Sequence, residues 1–194
     1  MPIRIIPQQK EGGKSDNTYF ITCSNKQQAQ ERFLKSFIRL MDVNNWEKIC
    51  EGNMKAVFTL CDISGKEVNR LAKQHDYLKI DIPGPGTIDG EGYDWVQIEN
   101  ISSLADVIQD AELISITVRP ASCPQNDKAS IAHFFTDDAT SIFIIKKKGC
   151  TVTAEIYGRN EKPNEHTENI VDNLRNKVVA NVAMIAFSNI QWKQ

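Results

Sequence analysis

Ser141-Ile142-Phe143-Ile144-Ile145-Lys146, then Lys147-Lys148-Gly149-Cys150, then Thr151-Val152-Thr153-Ala154-Glu155-Ile156-Tyr157 is the stretch that decides the fold. Two runs rich in β-branched and aromatic residues flank a lysine-rich turn with one glycine, the pattern of a β-hairpin. Their apolar density sets this hairpin at the rigid centre of a sheet. Toward the N-terminus, Leu113-Ile114-Ser115-Ile116-Thr117-Val118 reads as the preceding strand, stopped by Arg119-Pro120. Trp95-Val96-Gln97-Ile98-Glu99 and Tyr77-Leu78-Lys79-Ile80-Asp81-Ile82 alternate apolar and polar residues, as half-buried antiparallel strands do. Ala56-Val57-Phe58-Thr59-Leu60-Cys61 and the short run Thr18-Tyr19-Phe20-Ile21-Thr22 complete the set.

Helical signals bracket the strands. Ser24-Asn25-Lys26-Gln27 is a capping box with Ser24 at the N-cap and Gln27 at N3. The helix it opens carries an apolar stripe of Phe33, Leu34, Phe37, Leu40 and Met41. A second short helical segment bears Trp46, Ile49 and Cys50. Leu104, Val107 and Ile108 repeat at helical spacing and predict a turn or two of helix. Residues 131–135 read ambiguously, and residues 158–164 form a polar loop. That loop leads into the longest helix, with Asn164 as N-cap and Val171, Leu174, Val178, Val182 and Ile185 on one face.

The order defines an α+β protein. A curved antiparallel sheet of about six to seven strands carries two N-terminal helices and a long C-terminal helix packed on one face. Residues 1–16 are expected to be a flexible tail, and residues 17–194 a single domain.

Composition excludes several classes. The chain has 194 residues, 41% hydrophobic and 25% charged, and a formal net charge of -2, without the basic excess that a nucleic-acid binder needs. Lys146-Lys147-Lys148 reads as a solvated turn. No run approaches the ~20 apolar residues of a membrane span, and the proline-broken N-terminus is too short for a signal peptide, which points to the cytoplasm. Five cysteines, Cys23, Cys50, Cys61, Cys123 and Cys150, are scattered without a C-x-x-C pair, so free thiols are expected rather than a disulfide framework or a zinc site.

Over residues 18–190 this succession resembles the helix-grip arrangement of START-like and Bet v 1-like proteins, in which a curved antiparallel sheet wraps around a long C-terminal helix. The resemblance implies a cavity between sheet and helix that commonly holds apolar ligands. No diagnostic motif of that superfamily is matched. The glycine-rich loop falls after Ile82 rather than between the second and third strands, which leaves open a compact barrel over residues 55–118 with a helix-and-hairpin unit behind it.

The conspicuous loop is Pro83-Gly84-Pro85-Gly86-Thr87-Ile88-Asp89-Gly90-Glu91-Gly92. It fails the dinucleotide pattern at Asp89, lacks the Lys-Ser or Lys-Thr of a P-loop, and misses the terminal glutamate of a calcium loop. What remains is a shaped connector that presents Tyr93 and Trp95 as contact residues. A second polar corner, Arg159, Asn160 and Glu161, stands where the central hairpin ends. For catalysis, His133 is the best general base, with Asp137 and Asp138 near enough in sequence to orient it, and Cys123 is the most exposed candidate nucleophile. His75 and His166 have no partner at metal spacing, and no metal or cofactor is called for.

The sequence therefore favours a non-enzymatic binding protein. It would hold an apolar small molecule in a sheet-helix cavity or contact a protein partner through residues 83–99. The alternatives are a hydrolase or cyclase-like enzyme using His133 or Cys123, and a subunit of a larger assembly; oligomeric state stays open.

Overall fold

A computed structural model describes residues 5–49, 56–82, 86–126 and 130–164. The hairpin forms as expected, from β6 (Thr140–Lys148) and β7 (Thr151–Glu161). Gly149, at φ 58°, is the first central residue of its two-residue turn, the place a II′ turn reserves for glycine. The other strands are β1 (Gly13–Thr22), β2 (Val57–Cys61), β3 (Tyr77–Asp81), β4 (Asp94–Asp106) and β5 (Ala111–Pro120). All seven join one antiparallel sheet in the order β1-β7-β6-β5-β4-β3-β2, so both strands of the hairpin are interior. Between β1 and β2 come α1 (Lys26–Met41) and a 3-10 helix (Val43–Ile49). No helix among the described residues is long and apolar enough to cross a membrane.

Ring contacts show that the sheet is bent. The indole of Trp46, in the 3-10 helix, meets Phe58 of β2 at 5.2 Å and Phe143 of β6 at 5.5 Å between centroids. The two phenyl rings therefore lie within about 11 Å of each other, whereas four strand spacings in a flat sheet come to about 19 Å. The register shift between Ile98 and Asn100 puts a bulge in β4, which adds to the curl. The concave face holds the main core, with Leu60, Leu78, Val96 and Ile145 buried. Pleat alternation sends their neighbours to the other face, where Cys61, Trp95, Cys123 and Ala132 make a second, smaller cluster packed against Tyr77 and Tyr93.

Several local expectations are corrected. The N-cap of α1 is Asn25, not Ser24: its side chain accepts from the Gln28 N–H at 2.9 Å, and the Ser24 N–H donates back to Gln28 Oε1 at 3.3 Å. The capping box is shifted by one residue because Asn caps as well as Ser and Gln28 follows Gln27. Ala29, Phe33, Ser36 and Leu40 are the buried stripe, spaced four, three and four, which leaves Leu34 47% exposed. The second N-terminal helix is of the 3-10 type. Its buried Val43 and Trp46 are three residues apart, the spacing that eclipses on a 3-10 helix.

Residues 104–110 are not helical. β4 runs to Asp106, pairing Leu104 with Leu113, and Asp106 Oδ1 then accepts from the Ile108 and Gln109 N–H groups to close a turn. β1 begins at Gly13, five residues before its β-rich run in the sequence, and β7 takes in residues 158–161, read from sequence as loop. The expected C-terminal helix, with Val171, Leu174, Val178, Val182, Ile185 and His166, lies outside the described residues, as do Cys50 and residues 83–85 of the glycine-rich loop.

If Trp46 holds the curl, Trp46→Ala should cost about 3–5 kcal/mol in urea unfolding. Leu34→Ala, on the exposed side of α1, should stay within about 0.5 kcal/mol. Similar costs for both would refute this account.

Candidate functional site

The concave face keeps a small cavity under Trp46. Phe58, Leu78, Val96, Val118, Phe143 and Phe134 wall it, and about 70 Å³ is free. That is about half of the ~150 Å³ cavity that accepts benzene in an engineered protein core. Its polar end is built from β1, β6, β7 and the segment before Phe134, which supply Ser15, Asn17, Ser141, Glu161 and His133.

Glu161 reaches this end because residue 158 is glycine. A Cβ there would stand 2.0 Å from Glu161 Oε1 and 2.4 Å from Ser15 Oγ. The Glu161 side chain thus folds back over the strand, where the Ser15 hydroxyl donates to Oε1 at 3.3 Å. Burial pushes the Glu161 carboxyl above its ordinary value, although the Ser15 hydrogen bond and the Arg159 charge pull the other way. An isolated glycine inside a strand pattern, Tyr157-Gly158-Arg159, is the sequence signal of such close approach.

His133 is 4% exposed and stacks on Phe134 at 4.1 Å. Its Nδ1 accepts from the Phe135 N–H at 3.0 Å, which assigns the ring proton of the neutral form to Nε2. The segment is anchored by Asn164, whose N–H donates to Phe134 O at 2.7 Å and whose side-chain amide donates to His133 O at 3.1 Å. Asp137 and Asp138, expected to orient the imidazole, are exposed while the ring is buried.

The remaining candidates sit elsewhere. Arg159, 7% exposed, pairs with Asp16 and donates to Ser15 O at 3.1 Å and Gly158 O at 2.7 Å, so it braces β1 against β7. Asn160 adopts φ 56°; its N–H donates to Gln9 Oε1 at 3.0 Å, and its own Oδ1 accepts from the Lys10 N–H at 2.7 Å. Tyr93 lies under the Lys79 ammonium at 4.3 Å and Trp95 is 2% exposed in the convex-face cluster. Cys123, expected to be exposed, is 2% exposed in that same cluster. There, burial pushes the neighbouring Cys61 thiol up to about 11. The structure thus brings Glu161 and His133 to one cavity and leaves the other five candidates outside its lining. Among the described residues, no three His, Cys, Asp or Glu side chains converge as a metal site would need.

No family model and no curated protein matches the chain. Among solved structures, it is similar to a hypothetical protein from Helicobacter pylori at 13% identity and TM-score 0.48, covering 97% of this chain and 95% of that one. A truncated norcoclaurine synthase from Thalictrum flavum matches at 8% identity and TM-score 0.38, covering 97% and 99%. A major latex-like protein from Panax ginseng matches at 12% and 0.35, covering 90% and 95%. Scores this low carry nothing about ligand or activity, so the reading of the site rests on its geometry.

The raised Glu161 carboxyl fixes a pH signature. A carboxyl that holds its proton more tightly in the folded chain adds stability below the unfolded value, and that stability is lost as pH rises through the folded value. Wild type should therefore lose thermal stability relative to Glu161→Gln as pH rises from 4 to 8, with the loss beginning near the ordinary glutamate value of 4.5. Parallel profiles for the two proteins would show that the carboxyl is not buried as described. Gly158→Ala, which drives the carboxyl and Ser15 apart, should flatten the wild-type profile in the same way.

Proposed function

We propose that this chain is a binding protein for a small, mainly apolar molecule bearing one hydrogen-bonding group, held on the concave face of the sheet. A single observation carries the reading: an otherwise apolar, aromatic-walled cavity has one polar end, onto which a carboxyl of raised proton affinity is folded. In this reading Glu161, Ser15 and His133 orient the polar group of the guest, and Val96, Val118, Phe134 and Phe143 cover its body. The free volume sets the scale of the guest at a few heavy atoms unless Trp46 yields. The buried position of Trp95 takes support away from a partner surface built on residues 83–99, since an anchor residue has to be reachable. The four described cysteines are all free, which supports a reducing, cytoplasmic setting.

The test uses 1-propanol and propionamide as probes, titrated against the full chain and followed by Trp fluorescence and by amide shifts. Dissociation constants on the order of 0.1–1 mM are expected for guests of this size, with shifts centred on Gly158 and Glu161. Val96→Phe should fill the cavity and abolish binding. Glu161→Gln should keep the fold and alter the preference between the two probes. Equal binding to wild type and Val96→Phe, or shifts centred on α1, would remove the cavity from the account.

A further inference from the structure

Cys23 and Cys150 are far apart in sequence and meet across two strands. Thr22, the last residue of β1, stands opposite Thr151 of β7. The next rung continues the pairing, with the Cys23 N–H donating to Cys150 O at 2.8 Å. Directly opposed residues of a hydrogen-bonded antiparallel pair have Cα atoms about 5.5 Å apart, inside the roughly 4.4–6.8 Å that a disulfide spans. Both cysteines are free and half-buried, whereas Cys61 and Cys123 are buried at 0% and 2% exposure.

The surroundings suit thiol chemistry. Cys150 is the second central residue of the β6–β7 turn, and a Cβ added at its neighbour Gly149 would meet nothing within 4 Å, so the turn has room to adjust. The Lys26 ammonium stands close by, ion-paired with Asp110 at 2.7 Å. Its hold on its proton is strengthened first by Asp110 and more weakly by Cys150. Cys23 also lines the open, polar groove along α1, beside Gln28, Arg32 and Arg39, which gives a small oxidant a way in.

We propose that Cys23 and Cys150 form a reversible redox pair, joined as a disulfide by a low-molecular-weight hydroperoxide. One thiolate attacks the peroxide oxygen; an S–O bond forms, the O–O bond breaks, and the alcohol or water leaves with the proton of the thiol. The second thiolate then attacks the sulfenic sulfur; the S–S bond forms, the S–O bond breaks, and water leaves. Two thiols are oxidised and one peroxide is reduced. The bond fastens the chain two residues before the N-cap of α1 to the turn between β6 and β7, the strands on which α1 packs. Oxidation thus locks the covering helix to the sheet, and a dithiol releases it.

Intact mass and peptide mapping of the full chain after hydrogen peroxide treatment test this. The expected result is a loss of about 2 Da, a single linked peptide containing Cys23 and Cys150, and full reversal by dithiothreitol. Cys23→Ser and Cys150→Ser should each abolish the loss. Oxygen added in steps of about 16 Da with no linked peptide would overturn the proposal. So would a link through Cys50, Cys61 or Cys123, or a 2 Da loss that survives either substitution.

Discussion

Trp46 must touch β2 and β6 at once, and the rest of the structure follows from that demand. The indole sits between Phe58 and Phe143, on strands that a flat sheet would hold well apart. Its own position is over-determined. Its Nε1–H donates to Arg39 O at 3.0 Å, which ties it to the end of α1. Two residues earlier, Asn44 accepts from the Leu60 N–H at 2.7 Å and donates to Val68 O at 2.8 Å, which ties the 3-10 helix to β2 and to the loop beyond it. A large ring fixed at both ends by polar anchors sets the depth of the concave face, so the cavity is the space the ring leaves rather than a defect of packing.

A curled sheet has two faces to cover, and this chain buries both at the β2–β4 end. Cys61, Tyr77 and Trp95 alternate with Leu60, Leu78 and Val96 along the same strands, and the loop after β5 folds over them. The Trp95 N–H donates to Ala132 O at 2.7 Å, and the Ala132 N–H donates to Ala121 O at 3.0 Å. The segment that covers the convex cluster therefore runs straight on into His133 and Phe134, which close the concave cavity. Consecutive residues, Ala132 and His133-Phe134, thus serve the two faces.

How much of this was legible depended on whether the information was local. The central hairpin and the alternating strands were readable because their pattern has period two and their partners are neighbours in sequence. The error at residues 104–110 has a plain cause: Leu104, Val107 and Ile108 fit a helical period, but Leu104 pairs with Leu113 and the other two sit at the tip of a turn, 93% and 98% exposed. Trp95 read as a surface anchor because such rings are enriched at contact hot spots and alternation predicts one solvated face, but Cys123 and Ala132 cover it there. Glu161 and His133 were each singled out, for separate reasons; nothing in the spacing of 28 residues shows that they face one cavity. That meeting rests on the bridge between Phe135 and Pro163 and on the Asn164 hydrogen bonds.

The polar end of the cavity depends on a segment that contributes little to the core. Asn160 takes a left-handed conformation one residue before Glu161, a placement that asparagine tolerates better than most residues but that still costs energy unless its neighbours favour it. That support comes from the N-terminal segment: Gln9 accepts from the Asn160 backbone, and the Asn160 side chain accepts in return from Lys10. Lys162 adds an ion pair with Glu11 on the far side of the kink. Residues 9–11 and the first rungs of β1 thereby aim the Glu161 carboxyl across Gly158 toward Ser15. The carboxyl is held where its own ionisation opposes folding, and the ordering that keeps it there comes from hydrogen bonds to a segment whose sequence reads as a tail. Such an arrangement is hard to explain by stability alone, since a glutamine or an apolar residue at position 161 would satisfy the same strand at less cost. It is readily explained if the carboxyl has a guest to orient.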